Sequence, residues 1–239
     1  MTERQKQLFT LVIKEYIDTG APVGSKELVK KYALPFSSAT LRSELARLCN
    51  MGYLVQPHIS AGRIPTDKGY RFYIKHLMEP RGILPEEKIL IQKNLGRREA
   101  SSGRNIARAI SESTHNLGFY FDSEEDALYR EGLAETVRNP DFRVIDQVYE
   151  FIELLDLVER QLMSIFDALW RESAPTILIG RNNLLPLSKD YSILYSGYDS
   201  HGHDHMIGVL GPKRMDYARN LAILDFVRNE LICRREPTD

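Results

Sequence analysis

The chain is poor in the features that mark secretion, membrane insertion and catalysis. Its 239 residues hold two cysteines, Cys49 and Cys233, far apart in sequence, so no disulfide framework is implied. The N-terminal MTERQKQ is polar rather than a charged leader followed by an apolar run, and no stretch approaches the roughly 20 apolar residues that span a bilayer. A cytoplasmic location without membrane attachment is expected. Also missing are G-x-x-x-x-G-K before Ser or Thr, G-x-G-x-x-G, H-E-x-x-H and G-x-S-x-G, which would signal phosphate loops, dinucleotide sites, zinc proteases and nucleophile elbows. Neither an enzyme nor a cofactor is expected. The nearest approach to metal-ligand spacing is His201, His203 and His205. Without a distant fourth ligand these histidines read as a solvated turn between two strands, with no metal.

Net charge is also nearly absent, at −1, but it is unevenly spread. Residues 1–78 carry twelve Lys and Arg against six Asp and Glu, a charge of +6, which leaves −7 for the remainder. A basic module joined to an acidic one suits a division between polyanion binding and regulation. The 43% hydrophobic content suffices for a core in one large domain or two small ones.

What is present is organised around residues 35–68. Ser37 or Ser38 can cap a helix that starts near Ala39, because a hydroxyl accepts from an orphan N–H one turn inward. Leu41, Leu45, Leu48 and Cys49 share its inner face. The outer face is Thr40, Ser43 and Arg47, with Arg42 beside it, a hydroxylated and cationic surface suited to base edges and phosphates in a major groove. Gly52 ends the helix, and Tyr53-Leu54-Val55 reads as a strand. His58-Ile59-Ser60-Ala61-Gly62-Arg63 then forms a loop whose Arg63 is expected to enter a minor groove. Ile64 returns along a second strand, and Thr66 caps a helix on which Lys68, Arg71 and Lys75 can touch phosphates. Upstream, Glu3–Thr19 reads as a core helix stopped by Gly20, and Ser25 as the cap of a short helix with Lys26, Lys30 and Lys31 outward. Helix, helix, recognition helix and hairpin is the order of a winged helix-turn-helix.

The segments PVGSKELVKKY (22–32), SSATLRSELARL (37–48) and QPHISAGRIPTDKGYRFYI (56–74) resemble the heat-inducible transcription repressors of the HrcA family, continuously over residues 3–76. GVLGPKRMDYAR (208–219) adds a second match. The resemblance implies a dimeric repressor of chaperone genes that binds an inverted repeat in double-stranded DNA, with a class I chaperonin helping it hold the active state. Its DNA-binding positions would be Ser37, Ser38, Thr40, Arg42, Ser43, Arg47, His58, Ser60, Arg63, Lys68 and Arg71. Two departures stand out. Family members usually carry Asn where this chain has Ser43, and Ser cannot pair bidentately with adenine. They also carry an inserted module, associated with dimerisation, where this chain has only residues 122–127, so a homodimer must form through other surfaces.

The remainder reads as a linker at 79–85 (EPRGILP) and a second domain at 86–236. Pro85 opens a helix; Ser101 or Ser102 caps a longer one carrying Ile106 and Ile110 and ending at Gly118. Phe119–Phe121 reads as a strand. A helical region after Asn139-Pro140 places Phe142, Ile145, Val148, Ile152 and Leu155 on one stripe that continues to Trp170. Strands at 176–179, 191–195 and 206–210 and a helix at 215–231 complete an α+β domain. The resemblance suggests a reduced GAF-like fold for it. Gly211 and Pro212 suit a turn after a strand, and Arg214 and Asp216 are candidates for a partner. Two competing readings stand beside this one: a winged-helix module reassigned to a protein or RNA partner, with the second domain as a ligand sensor, and a metal- or ligand-dependent enzyme in the second domain, resting only on the histidines.

Overall fold

The structure is a computed structural model that describes residues 1–96, 102–169, 175–180, 190–200 and 202–235. It divides into two units, Met1–Glu79 and Pro80–Asp239, and is α+β in composition.

The first unit holds α1 (Glu3–Thr19), α2 (Ser25–Tyr32), α3 (Ser38–Asn50), the short strands β1 (Leu54–Val55) and β2 (Ile64–Pro65), and α4 (Asp67–His76). Its boundaries follow local chemistry. The Thr2 hydroxyl accepts from Gln5 N–H while Thr2 N–H donates to the Gln5 side chain, a reciprocal cap on α1. Gly20, at φ 65°, closes the same helix. At α2 the cap is Gly24 rather than Ser25, because the Glu27 carboxylate takes the Gly24 N–H at 3.1 Å; Ser25 is the first helical residue and is buried. Ser37 caps α3 and Thr66 caps α4. Phe9, Val12, Ile13, Leu28, Leu48, Leu54 and Tyr70 form the buried centre. Tyr53 and Phe72 add a ring pair at 4.9 Å between centroids.

The second unit is built on an antiparallel sheet ordered β4-β3-β7-β6-β5. Its strands are β3 (Leu117–Asp122), β4 (Ala127–Glu131), β5 (Thr176–Ile179), β6 (Tyr191–Ser200) and β7 (His203–Pro212). Its helices are α5 (Pro85–Leu95), α6 (Gly103–Thr114), α7 (Leu133–Val137), α8 (Ile145–Leu169) and α9 (Tyr217–Arg235). Leu117, Phe119, Phe121, Ile193, Tyr195 and Leu210 alternate onto one sheet face, where Phe142, Phe151, Leu154, Leu155 and Val158 meet them. Helices α6 and α9 cover the other face, and α5 packs on both.

Several sequence expectations shift here. Helix α6 stops at Thr114 with His115 left-handed at φ 56°, so Gly118 lies in β3 instead of ending the helix. A Cβ on Gly118 would sit 2.3 Å from the Ala107 carbonyl, so this glycine lets strand and helix backbones touch. The buried face of α8 runs through Phe151, Leu154, Leu155 and Val158, whereas Ile145 and Ile152 are 63% and 38% exposed. Val148, Tyr149, Phe151, Ile152, Leu154 and Leu155 spread apolar character over more than one face and made the stripe ambiguous, and the sheet selected the face carrying Phe151. Strands β6 and β7 extend to Ser200 and from His203, which puts His203 and His205 on a strand rather than in a turn. His205 is fully buried, its Nδ1 3.0 Å from the Tyr120 hydroxyl. His201, Trp170 and Ser101 lie outside the described residues.

The corrected phase of α8 is testable. Phe151→Ala should cost about 3–5 kcal/mol in urea unfolding, as a buried aromatic truncation does, whereas Ile152→Ala should cost less than about 1 kcal/mol. Equal losses would contradict this packing.

Candidate nucleic-acid interface

Helix α3 presents two chemically opposite faces. Leu41, Leu45 and Leu48 are buried, as their spacing requires, and Cys49 is half-buried. Ser37, Thr40, Arg42, Ser43 and Arg47 are exposed, and Ser38 is partly so. The Ser37 hydroxyl accepts from Thr40 N–H at 3.1 Å and lies 2.9 Å from the Thr40 hydroxyl. The helix therefore begins with two linked hydroxyls beside its positive dipole end.

The residue that sequence reasoning missed is Glu44. It is 5% exposed on the inner face among the leucines, a position where an unpaired carboxylate would be costly. Three partners satisfy it. The Gln5 side-chain amide donates to it at 2.9 Å, Arg4 at 2.7 Å and Arg47 at 3.2 Å. The Gln5 amide, then Arg4 and Arg47, hold the Glu44 carboxyl below its ordinary value of 4.5 against the opposing effect of burial. Arg4 also stands 5.4 Å from the Phe36 ring centroid, just ahead of the α3 cap. The periodicity places Glu44 next to Leu45, and its polar partners on α1, 39 and 40 positions away, were the hidden signal.

The loop between β1 and β2 is held at its base and its tip. Val23 and Arg63 exchange both backbone hydrogen bonds at 2.9 Å. Gly62 lies so close that a Cβ there would be 2.5 Å from the Pro22 carbonyl. At the tip, the Gln56 amide donates to the Ile59 and Ala61 carbonyls at 2.7 and 3.0 Å. The tip residues are His58, Ile59 and Ser60, all exposed. Arg63 is not among them: it is half-buried at the base, and its Nη1 donates to the Ala61 and Gly62 carbonyls at 3.3 and 3.4 Å. The bridge to Val23 draws it inward. Together with Lys26, Arg42 and Leu45, the loop lines a groove of about 510 Å³.

On α4, Lys68 is exposed but donates to the Met51 carbonyl at the end of α3, at 2.8 Å, and sits 4.7 Å from the Tyr53 ring centroid. It thereby satisfies a carbonyl at the end of α3. Arg71 is exposed on the same helix.

In the second unit, Arg214 and Asp216 serve internal structure. Arg214, 9% exposed, pairs with Asp141 at 2.6 Å and donates to Asn139 at 2.5 Å, and the Asp216 carboxylate accepts from Arg219 N–H at the start of α9. Among the described residues no three His, Cys, Asp or Glu side chains converge to hold a metal ion, and no helix is long and apolar enough to cross a membrane.

The molecule thus joins a small helical unit, with an outward cationic helix beside a held hairpin loop, to an α+β unit; this architecture is shared with a solved structure. The solved structure, titled only as a hypothetical protein at 2.2 Å resolution, is 18% identical, with a TM-score of 0.76 over 98% of each chain. The model of the HrcA protein C terminal domain matches residues 84–221, more than half of the chain. The chain belongs to the HrcA family. A heat-inducible transcription repressor HrcA of Desulforudis audaxviator is 26% identical, with 96% of each chain covered. That alignment spans 331 positions against 239 residues here, so at least 92 positions (331 − 239) have no counterpart in this chain. A relative of the same name from Chloroflexus aurantiacus is 50% identical over 92 residues, 38% of this chain and 25% of that one.

Glu44→Gln keeps the shape but removes the charge. It should cost about 1.5 kcal/mol at neutral pH, the low end for a bond to a charged group because Arg4 and Arg47 are largely solvated. The Glu44 carboxyl is lowered on folding, so its contribution is complete above pH 4.5 and is lost as pH falls through the lower folded value. The stability gap between the two proteins in urea titrations should therefore close in acid. A gap that widens there would refute this role.

Proposed function

We propose that this chain is a sequence-specific, DNA-binding transcription repressor of heat-shock genes, with Met1–Glu79 as a winged helix-turn-helix and Pro80–Asp239 as a reduced GAF-like regulatory unit. The observation that carries the reading is the outward face of α3, where Thr40, Arg42, Ser43 and Arg47 stand exposed while three leucines lock the opposite face and Glu44 is buried at its edge. The names of the relatives agree with it. Helix α3 would enter the major groove, with Ser37, Ser38 and Thr40 at its leading end and Arg42 and Ser43 facing base edges. His58 and Ser60 flank the loop tip, Arg63 and Lys68 stiffen the frame, and Arg71 reaches phosphate.

An inverted repeat calls for two copies, since linking two half-site contacts makes the second nearly intramolecular. A homodimer is therefore part of the proposal, as are a cytoplasmic location and control by a class I chaperonin. The positions missing relative to longer relatives are assigned to the β3–β4 turn, residues 123–126, where the chain now passes directly from Asp122 to Ala127.

Selection of duplexes from a random pool, followed by gel-shift titration, tests the reading. Binding should prefer an inverted repeat and weaken with salt by a slope of about −0.9 per neutralised phosphate. Arg42→Ala should lose about tenfold in discrimination between selected and random duplexes, within the range for a base-edge contact. No preference for any duplex would end the proposal.

A further inference from the structure

We propose that Ile59, at the tip of the β1–β2 loop, enters the minor groove of the bound duplex and makes an apolar contact there, so that the loop adds affinity through shape rather than charge. This rests on the duplex-binding reading above and replaces Arg63 as the loop's probe. Ile59 is 100% exposed, so its side chain contributes nothing to the folded unit. Yet the backbone beneath it is held by Gln56 at two carbonyls and by Ala61 N–H donating to the His58 carbonyl at 2.9 Å. An apolar side chain displayed on a braced turn meets a partner with little ordering left to do.

The partner follows from position. Ile59 lines the same groove as Arg42 of α3, so a duplex that takes α3 in its major groove brings its next minor groove to the loop. The residues flanking the tip are His58, Ser60 and Ala61, with no Lys or Arg to read negative potential. Aliphatic side chains in a minor groove pack on sugar walls and base edges and favour steps that open readily, chiefly pyrimidine–purine ones. Such a contact releases no counterions, so it leaves the salt slope untouched. That separates it from every cationic contact on the same surface.

The test uses the full chain and a labelled duplex selected by the wild-type protein, titrated by anisotropy across a salt series. Ile59→Ala and Ile59→Ser should bind about tenfold more weakly at every salt concentration, equivalent to about 1.4 kcal/mol and within the range for burying one aliphatic side chain. Their slopes and melting temperatures should match wild type, and Ile59→Leu should recover to within about threefold. Arg71→Ala, which removes a phosphate contact, should instead flatten the slope. Wild-type affinity in Ile59→Ala would overturn the inference while leaving duplex binding intact. A lowered melting temperature of the free Ile59→Ala chain would also overturn it, by showing that Ile59 packs within the protein. A wild-type chain that selects no duplex would reject the underlying reading instead.

Discussion

The proposed interface depends on one buried carboxylate. Glu44 sits on the leucine side of α3 and is held by Gln5, Arg4 and Arg47, which ties the rotation of α3 to the first turn of α1. A helix packed only by leucines can roll by a fraction of a turn at little cost, because its apolar contacts are not directional. A carboxylate that must find a particular amide removes that freedom. With Leu41, Leu45 and Leu48 inward, the 3.6-residue period turns Ser43 outward, while Thr40 and Arg47, one turn to either side of Glu44, stand exposed at the edge of the buried face. Arg47 belongs to both sets: it reaches back to Glu44 while its side chain remains 62% exposed.

The loop beside α3 follows the same logic through the backbone. The Val23–Arg63 pair and the close passage of Gly62 over Pro22 join the start of α2 to the base of the hairpin, so two strands of only two residues each do not have to hold the loop unaided. This explains why Arg63 is withdrawn. Its backbone is committed to Val23, and a residue at an anchored base cannot also be the probe at the tip. The cations of this unit lie on its helices, Lys26 on α2, Arg42 and Arg47 on α3 and Arg71 on α4 among them, and the tip is left to Ile59.

How much of this was legible in the sequence depended on the range of the interactions involved. Caps and stops were readable because their donors and acceptors lie within four residues: Ser37, Thr66, Gly20 and Pro85 all stand where local chemistry puts them. The cap of α2 was misread by one residue because Ser25 carries the hydroxyl of a usual cap, whereas Gly24 has no side chain and is tied only through its N–H to the Glu27 carboxylate. Long-range choices were not readable. Glu44 drew no notice, because the partners that hold it lie on α1, 39 and 40 positions away. Ile145 and Ile152 looked like core until the sheet chose Phe151. His205 looked solvated because nothing local announces that Tyr120, 85 positions away, lies beside it.

The β3–β4 turn, where the proposal places the missing positions, can take up a change in chain length without disturbing the sheet. Strand β4 is at the edge and pairs only with β3, while β3 is held on its other side by six residue pairs with β7 from Leu117 to Asp122. The β3–β4 turn is closed by the Asp122 carboxylate, which accepts from the Glu124 and Glu125 N–H groups, and by Asp126 at φ 51°. Chain added at an edge turn changes neither the register of the neighbouring pair nor the faces of the strands, because register is fixed by the alternation of buried side chains. Phe119 and Phe121 point toward Phe151 whether four residues or many more separate β3 from β4. An internal strand offers no such site, since added length there would have to pass over a covered face. An edge hairpin such as β3–β4 is therefore one position at which a sheet of this kind can differ in length by a whole module and keep its core.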